Sequence, residues 1–560
     1  MSRLRTILFV LLVFAVLPGQ AEETRRPGKA AIASAHPLAT AAGHEILDQG
    51  GNAFDAAVAV AAALGVVETF SGNIGGGGFW LLHRAEDGLE VMLDLREVAP
   101  AAASRDMYLD DRGNPIPRAS LDGPLAAGIP GVPAGLAHLA EHYGRLPLAQ
   151  SLRPAIRLAK EGFPVNESMR NALNYKKKII ARWPAARQLY LSGGEVPDIG
   201  HVITQPDLAN TLELLATHGR DGFYTGELAR RLVKSVRADG GIWTEKDLAD
   251  YRLVERAPLV FEYEGARIVS AALPSAGGMG LANMLNILSG YPLGDLDRVT
   301  RAHLIVEAMR RAYRDRAEYL GDPDFVTVPV KMLTHPMYAA GQRASIRLDR
   351  ATPSAMLPEY VPEEEGENTT HFSIMDADGN RVAGTQSLNS WFGSGYMVPG
   401  TGVILNNEMD DFSIKPGVAN LFKLVGAQAN SIAPGKRMLS SMTPTFAESD
   451  RGLIILGTPG GSRIITMVML GLLEWVGGAD ADAIVNLPRY HHQYLPDEIF
   501  HEEKAFSSSE IRRLESMGHT LHKSDRLYGN MQVVTWDFDS GNVEAASDPR
   551  YEGGAQVWIY

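Results

Sequence analysis

No cysteine occurs anywhere in the 560-residue sequence. That absence excludes disulfides, thiolate zinc sites, iron–sulfur clusters and a cysteine nucleophile. Any nucleophile must be Ser, Thr, Lys or a carboxylate. A basic excess is missing too, because 53 Lys and Arg stand against 66 Asp and Glu for a formal charge of −13. That balance argues against nucleic acid as the main partner. With 45% hydrophobic and 21% charged residues, the composition is not that of a disordered chain, a collagen-like fibre or a multi-span membrane protein. The length exceeds one ordinary core, so one large elaborated domain or two intimately packed lobes are expected.

What is present begins with a targeting signal. Arg3 and Arg5 form a basic start, Ile7 to Leu17 is an unbroken apolar run, and Gly19-Gln20-Ala21 supplies small residues before Glu22. Eleven apolar residues are too few to span a bilayer, which takes roughly 20. Residues 1–21 are therefore expected to be a cleaved signal peptide, leaving a periplasmic or secreted chain with no stable membrane association. No later stretch is long and apolar enough to cross a membrane.

Asn52-Ala53-Phe54-Asp55 has the form of a helix start, with Asn as cap and Asp in the first turn. The alanine-rich run Ala56 to Leu64 after it predicts a buried helix. A second helix is expected from Thr300 to about Ala317, with apolar Ala302, Ile305, Val306, Met309, Ala312 and Tyr313 on one face and Arg and Glu on the other. Lys176-Lys177-Lys178 is expected to be a solvated helix face. Pro353, Pro358, Pro362 and the acidic run 363–367 predict an exposed connection. Beyond it, 369–375 and 381–388 have strand composition and flank Asp378-Gly379, a hairpin signal. With those two residues at the centre of the turn, Thr370 faces Ser387 and Thr369 faces Leu388, so hydroxyls gather at the open end.

Further segments decide what the hairpin is for. The chain carries Asn406-Asn407-Glu408-Met409-Asp410-Asp411-Phe412, then Arg437 to Thr445 with Ser440-Ser441 inside it, then Gly457-Thr458-Pro459-Gly460-Gly461-Ser462-Arg463. Supporting segments are Gly75 to Gly78, Arg96-Glu97, Gly128 to Pro133, Gly321-Asp322-Pro323 and Asp548-Pro549-Arg550. With Thr369-Thr370-His371, this ordered set resembles the bacterial γ-glutamyltranspeptidases over nearly the whole mature chain.

The resemblance implies an N-terminal nucleophile (Ntn) hydrolase, an α+β αββα sandwich of two stacked antiparallel sheets flanked by helices. It implies one precursor that cuts itself at Asn368–Thr369 into a large subunit, 22–368, and a small one, 369–560, of the same domain. Thr369 is then the nucleophile and its freed α-amine the base. Arg96 is expected to bind the donor α-carboxylate with Ser440 and Ser441. Asp411 is expected to hold the α-ammonium, helped by Glu408 and Asn389. Gly460 and Gly461 are the expected oxyanion donors, and Ser387 stands where the family has a Thr beside the nucleophile. No cofactor and no metal are implied. The expected partners are small γ-glutamyl donors such as glutathione, with water, amino acids or peptides as acceptors.

Two features depart from the pattern or compete with it. Phe422 stands in the lid loop where some members have a Tyr whose hydroxyl helps latch it, which predicts a more mobile lid. His491-His492 invites a metal reading, but adjacent side chains on a strand point to opposite faces, so a structural role is expected. Two other functions fit the same fold: a related acylase for a β-lactam side chain, and a secreted binding protein that lost catalysis. Asp411 and Glu408 favour a γ-glutamyl donor over the first, and Thr369 with the glycine pair favours catalysis over the second.

Overall fold

The computed structural model describes residues 25–356, 369–415 and 417–559. The signal stretch 1–21, most of the acidic connection, Asn368 and Pro416 of the lid loop lie outside them. Among the described residues no helix is long and apolar enough to cross a membrane.

Asn52 starts its helix as its position predicts. Its Oδ1 accepts the amides of Phe54 and Asp55 at 3.0 and 3.1 Å, and Asp55 Oδ2 accepts the Asn52 amide at 3.0 Å. This reciprocal cap satisfies donors that a helix start leaves orphaned. The helix it opens, Ala53–Val67, is buried along its whole length, as an element apolar on every side must be.

Two antiparallel sheets lie at the centre. The first has seven strands in the order Gly554–Trp558, Ala30–Ser34, Thr370–Met375, Arg381–Ser387, Gly77–Arg84, Leu89–Asp94 and Val254–Arg256. The second has six: Val543–Ser547, Gln532–Asp537, Gly452–Gly457, Thr445–Ser449, Ala266–Ser270 and Leu259–Tyr263. Alternation along each strand gives a sheet two usable faces. Ala31, Phe79, Leu81 and Ala383 of the first sheet share one apolar cluster with Ile268, Phe446, Ile454 and Val533 of the second. On the far face Ile32, Trp80, Phe372 and Val382 pack with the alanine-rich helix. Helices Gly277–Leu288, Arg298–Tyr319 and Ile464–Val476 cover the second sheet. The layers are helix, sheet, sheet, helix, the expected αββα sandwich.

The hairpin forms, but one residue out of the predicted register. Thr370 pairs with Gln386 rather than Ser387. The cause is Asp376, whose Oδ1 accepts the amides of Asp378 at 3.0 Å and Asn380 at 2.9 Å. Asp376 and Asn380 also close the loop through their backbones at 3.1 Å, so three residues form the turn, with Gly379 at φ +94°. A longer turn moves the pairing, and Thr369 comes level with Ser387. The glycine run holds that end in place. A side chain at Gly76 would stand 1.9 Å from the Ser387 carbonyl, and one at Gly78 2.2 Å from that of Thr385. Only glycine lets the Gly77–Arg84 strand lie so close.

Two charged segments differ from expectation. Lys176 is buried rather than solvated, and its Nζ donates to Ser390 Oγ at 2.8 Å. The helix expected over 300–317 runs Arg298–Tyr319, and Glu307, Arg310, Arg311 and Arg316 on its charged side are buried as well. Most of their charge is met internally: Glu307 accepts from Arg311 at 2.6 Å and from the Thr352 amide at 2.9 Å, and Arg310 pairs with Asp497.

Candidate active site

Thr369 opens the Thr370–Met375 strand at the edge of two cavities and lines both. Its hydroxyl donates toward Ser387 Oγ at 3.4 Å, and Ser387 Oγ in turn accepts the Asn389 amide at 2.7 Å. The glycine pair straddles the same point, Gly461 lining the first cavity and Gly460 the second. Gly460 and Gly461 have φ of +142° and +55°, a backbone that presents its amides where a side-chain-bearing residue is strained.

The first cavity is lined by Thr369, Ser387, Asn389, Glu408, Asp411, Phe422, Ser440, Ser441 and Gly461, so the structure gathers nine predicted site residues in one place. Asparagines set their positions. Asn406 Oδ1 accepts the Glu408 amide at 3.1 Å while its Nδ2 donates to the carbonyls of Gly75 and Gly128. Asn389, at φ +73°, donates from Nδ2 to Asn407 O at 3.0 Å. Its Oδ1 and Glu408 Oε1 are buried without a hydrogen-bond partner.

Arg96 does not line this cavity. Its guanidinium lies fully buried beyond it, 2.5 Å from both Glu408 Oε2 and Asp411 Oδ2 and 3.6 Å from Glu97. Nε donates to the Met438 carbonyl and Nη2 also to that of Leu439. Burial, opposed by Arg96, pushes the Glu408 carboxyl up to about 8. Burial and neighbouring Glu408 push Glu97 well above the carboxylate range. One cation is shared by three carboxyls, so burial holds Glu97 and Glu408 toward their neutral forms, and an added cation would draw them back toward ionisation. That is the electrostatic complement of a small ammonium.

The same cavity is lined by a residue the sequence reading missed. Arg316 lines the cavity and donates from Nη2 to Ser441 Oγ at 3.1 Å, and its Nε is buried without a partner. The signal was present: Arg316 lies three and four residues beyond Tyr313 and Ala312, on the buried face of its helix. The cavity is lined by the hydrogen-bond donors Arg316, Ser440 and Ser441 and by the carboxyl groups of Glu408 and Asp411, the two kinds of group that a zwitterionic α-amino acid requires.

Phe422 is part of the cavity wall. A Cβ placed on Gly461 would come within 2.4 Å of the Phe422 ring, so ring and glycine are in direct contact. The lid is tied without a ring hydroxyl. Asn420 Nδ2 donates to Asp411 Oδ1 at 3.1 Å, Asn420 Oδ1 accepts the amides of Phe422 and Leu424, and Gln493 Nε2 donates to the Phe422 carbonyl at 3.1 Å.

The histidine pair serves separate networks. His491 bonds Thr466 and Gln493, each at 2.8 Å, and His492 bonds Asp497 at 3.2 Å and the Tyr494 amide at 3.1 Å. Among the described residues one group has metal-ligand spacing, His303, Glu307 and His519. Both His303 nitrogens are engaged, by His519 and the Arg347 carbonyl, and Glu307 is held by Arg311.

The gamma-glutamyltranspeptidase family model matches residues 39–558. The chain belongs to that family. A glutathione hydrolase proenzyme of Escherichia coli K12 is 41% identical over 528 residues, covering 93% of this chain and 90% of its own. One from Pseudomonas sp. strain A14 is 44% identical over 535 residues, covering 93% of each. Among solved structures, a cephalosporin acylase from Bacillus halodurans superposes with TM-score 0.82 at 28% identity, covering 98% of this chain and 99% of that one. A γ-glutamyltranspeptidase from Helicobacter pylori gives 0.56 at 40% identity, covering 58% of this chain and 94% of that one. The Ntn-hydrolase fold follows from the layers and from these neighbours together.

Proposed function

We propose that this family member is a self-processing γ-glutamyltransferase and glutathione hydrolase that moves a γ-glutamyl group from an amide donor to water or to an amino acid or peptide. The observation that carries the reading is the first cavity, where Thr369 and Gly461 are gathered with the donors Arg316, Ser440 and Ser441 and with the carboxyl groups of Glu408 and Asp411. A γ-glutamyl group fits that polarity. Its α-carboxylate lies toward Ser440, Ser441 and Arg316, with Arg96 behind, its α-ammonium toward Asn389, Glu408 and Asp411, and its γ-carbonyl reaches Thr369.

Self-cleavage comes first. The Thr369 hydroxyl attacks the Asn368 carbonyl, the peptide C–N bond breaks as the C–O bond forms, and water resolves the ester. This leaves a carboxylate on Asn368 and a free α-amine on Thr369. Before cleavage that nitrogen is an amide with no basicity; afterwards it is an amine with an ordinary pKa of about 7.7–8.0. It takes the hydroxyl proton as Oγ1 attacks the γ-carbonyl, and returns it to the departing amine. Amides at Gly460 and Gly461 stabilise the oxyanion. The large subunit, 22–368, and the small one, 369–560, stay in one core, because the Thr370–Met375 strand is hydrogen-bonded to Ala30–Ser34. Export as a signal-bearing precursor places the enzyme in the periplasm or outside the cell, where extracellular thiol peptides are its donors.

The acylase reading has one observation in its favour, relatives named acylase proenzyme at 35–36% identity over 92% of this chain. Three carboxyls around Arg96 favour an amino-acid donor over it. The deciding experiment is N-terminal sequencing and intact mass of purified protein, with turnover of γ-glutamyl-p-nitroanilide and glutaryl-p-nitroanilide. The expected result is a chain beginning at Thr369 that turns over the first far better. An active protein with no cut at Thr369 overturns the mechanism, and a preference for the glutaryl compound overturns the substrate.

A further inference from the structure

A second cavity also reaches Thr369 and shares with the first only that residue. Its walls include Ser71, Trp391, Gly460, Asn530 and Glu68. Glu68 stands at the joint between helix Ala53–Val67 and the short turn Thr69–Gly72. Only 7% of its surface is exposed. One carboxyl oxygen, Oε2, accepts the Thr370 hydroxyl at 2.5 Å. Among the described residues no Lys, Arg or His pairs with Glu68, and no second hydrogen bond reaches it. A carboxyl this buried ordinarily has a cation or several donors beside it. Here the group lines a cavity that ends on the reacting residue.

We infer that this second cavity is the acceptor subsite and that Glu68 receives the α-amino group of the incoming amino acid or peptide. This rests on Thr369 as the residue that carries the acyl group. An acceptor amine arrives mostly as ammonium, which has no lone pair. It gives one proton to the Glu68 carboxylate, and the nitrogen pair then bonds to the γ-carbonyl carbon. The second proton passes through the Thr369 α-amine to Oγ1 as the ester C–O bond breaks. The products are a new amide, a free Thr369 hydroxyl and a protonated Glu68, which returns its proton to solvent. Burial, opposed by the Thr370 hydrogen bond, pushes the Glu68 carboxyl up to about 8. That is the range of a peptide α-amine, so the proton moves between them at little cost. In the first cavity a carboxyl group serves the donor ammonium; in the second, one serves the acceptor.

The test compares the full chain with Glu68→Gln and Glu68→Asp, after a denaturing gel confirms that each is cut. γ-Glutamyl-p-nitroanilide is the donor, glycylglycine the amine acceptor and methanol an acceptor that arrives neutral, whose one hydroxyl proton passes to Oγ1 and leaves none for Glu68. Glu68→Gln keeps the shape and the contact with Thr370 but cannot take the proton. The expected result is at least a tenfold rise in the glycylglycine KM, with donor KM within twofold and methanol transfer within threefold of wild type. Glu68→Asp, one methylene short, should raise the glycylglycine KM at least threefold, which keeps the test open if the Gln variant fails to mature. An unchanged glycylglycine KM in either variant, or an equal loss with methanol, overturns the assignment. If the wild type forms no transfer product with either acceptor, it is the reading of Thr369 as acyl carrier that fails.

Discussion

Arg96 Nη2 lies 2.5 Å from Asp411 Oδ2. The residue expected to bind the donor carboxylate and the one expected to bind its ammonium are therefore bonded to each other. The pairing has a physical basis, since neither charge tolerates isolation where it sits. It also couples the two residues, because a shift of either moves the other.

Removing one member should separate selectivity from stability. Asp411→Asn keeps the shape and loses the charge that an α-ammonium meets. A charged hydrogen bond is worth about 1.5–3 kcal/mol, so kcat/KM for γ-glutamyl-p-nitroanilide should fall roughly 10–100-fold. Turnover of the glutaryl analogue, which has no ammonium, should not fall with it. Arg96→Gln leaves Glu97, Glu408 and Asp411 without their shared cation and should cost about 3–5 kcal/mol. Urea denaturation of both variants measures that cost, and a loss below 1 kcal/mol for Arg96→Gln would contradict the electrostatic account.

Thr369→Ala should give one uncut, inactive chain on a denaturing gel. Thr369→Ser retains a hydroxyl and should still be cut, more slowly. Intact mass over hours of incubation follows both, and a cut at Asn368–Thr369 in the Ala variant would show that Thr369 is not the agent of its own release.

Local signals carried much of this into the sequence, and side-chain satisfaction decided the rest. Asn52 and Asp55 form the cap that their spacing announces, because capping is decided within four residues. The hairpin at Asp378-Gly379 was equally local, but its register depended on the Asp376 carboxylate taking two loop amides, and that moved Thr370 from Ser387 to Gln386. Lys176 reads as surface because lysine ordinarily is; its role in holding Ser390 depends on a partner more than 200 residues away. Arg316 and Glu68 share that difficulty. A lone Arg in an Arg-rich helix, or a Glu between a helix and a turn, has no motif, and each becomes informative only when its cavity and missing partner are seen. The motif residues around the first cavity were legible as a set because they converge on one substrate.

Stability should depend on pH through buried histidines, and the sign can be followed at one of them. His371 follows the nucleophile by two residues and is buried, bonded to Thr385 at 2.8 Å and Ser373 at 3.2 Å. Burial lowers it to about 3 from an ordinary 6.5. Between those values the unfolded chain binds a proton that the folded one does not. Its contribution is therefore whole above about pH 6.5 and is lost as pH falls toward 3. Glu68, raised to about 8 from 4.5, acts in the opposite sense, losing its contribution as pH rises from 4.5 to 8. Differences between variant and wild type isolate each group. His371→Gln should be less stable at pH 7 for want of its bonds, and the deficit should shrink by up to about 1.4 kcal/mol per pH unit below 6.5. Urea midpoints at half-unit steps from pH 4.5 to 7.5 check this, and a constant deficit would rule it out.

The contact between Phe422 and Gly461 couples the expected lid loop to the proposed oxyanion site. At φ +55° Gly461 is in the left-handed region, where an alanine is strained by about 1–2 kcal/mol, and its Cβ would also meet the Phe422 ring at 2.4 Å. Gly461→Ala should therefore reduce hydrolysis of γ-glutamyl-p-nitroanilide by about 100-fold or more, the usual scale for a displaced oxyanion donor. Adding Phe422→Ala removes the collision but not the backbone strain, so the double variant should recover part of the loss and not all of it. Phe422→Tyr alone leaves Gly461 undisturbed and supplies a hydroxyl at the lid. Because Asn420 already ties the lid to Asp411, the added group should change how the acyl-enzyme divides between water and glycylglycine more than how fast it forms. The ratio of transfer to hydrolysis, measured beside the rate of p-nitroaniline release, reads those two effects separately. If that ratio is the same in wild type, Phe422→Tyr and Phe422→Ala, the ring covers the donor without governing the acceptor, and control of the second half-reaction lies on the Glu68 side of Thr369.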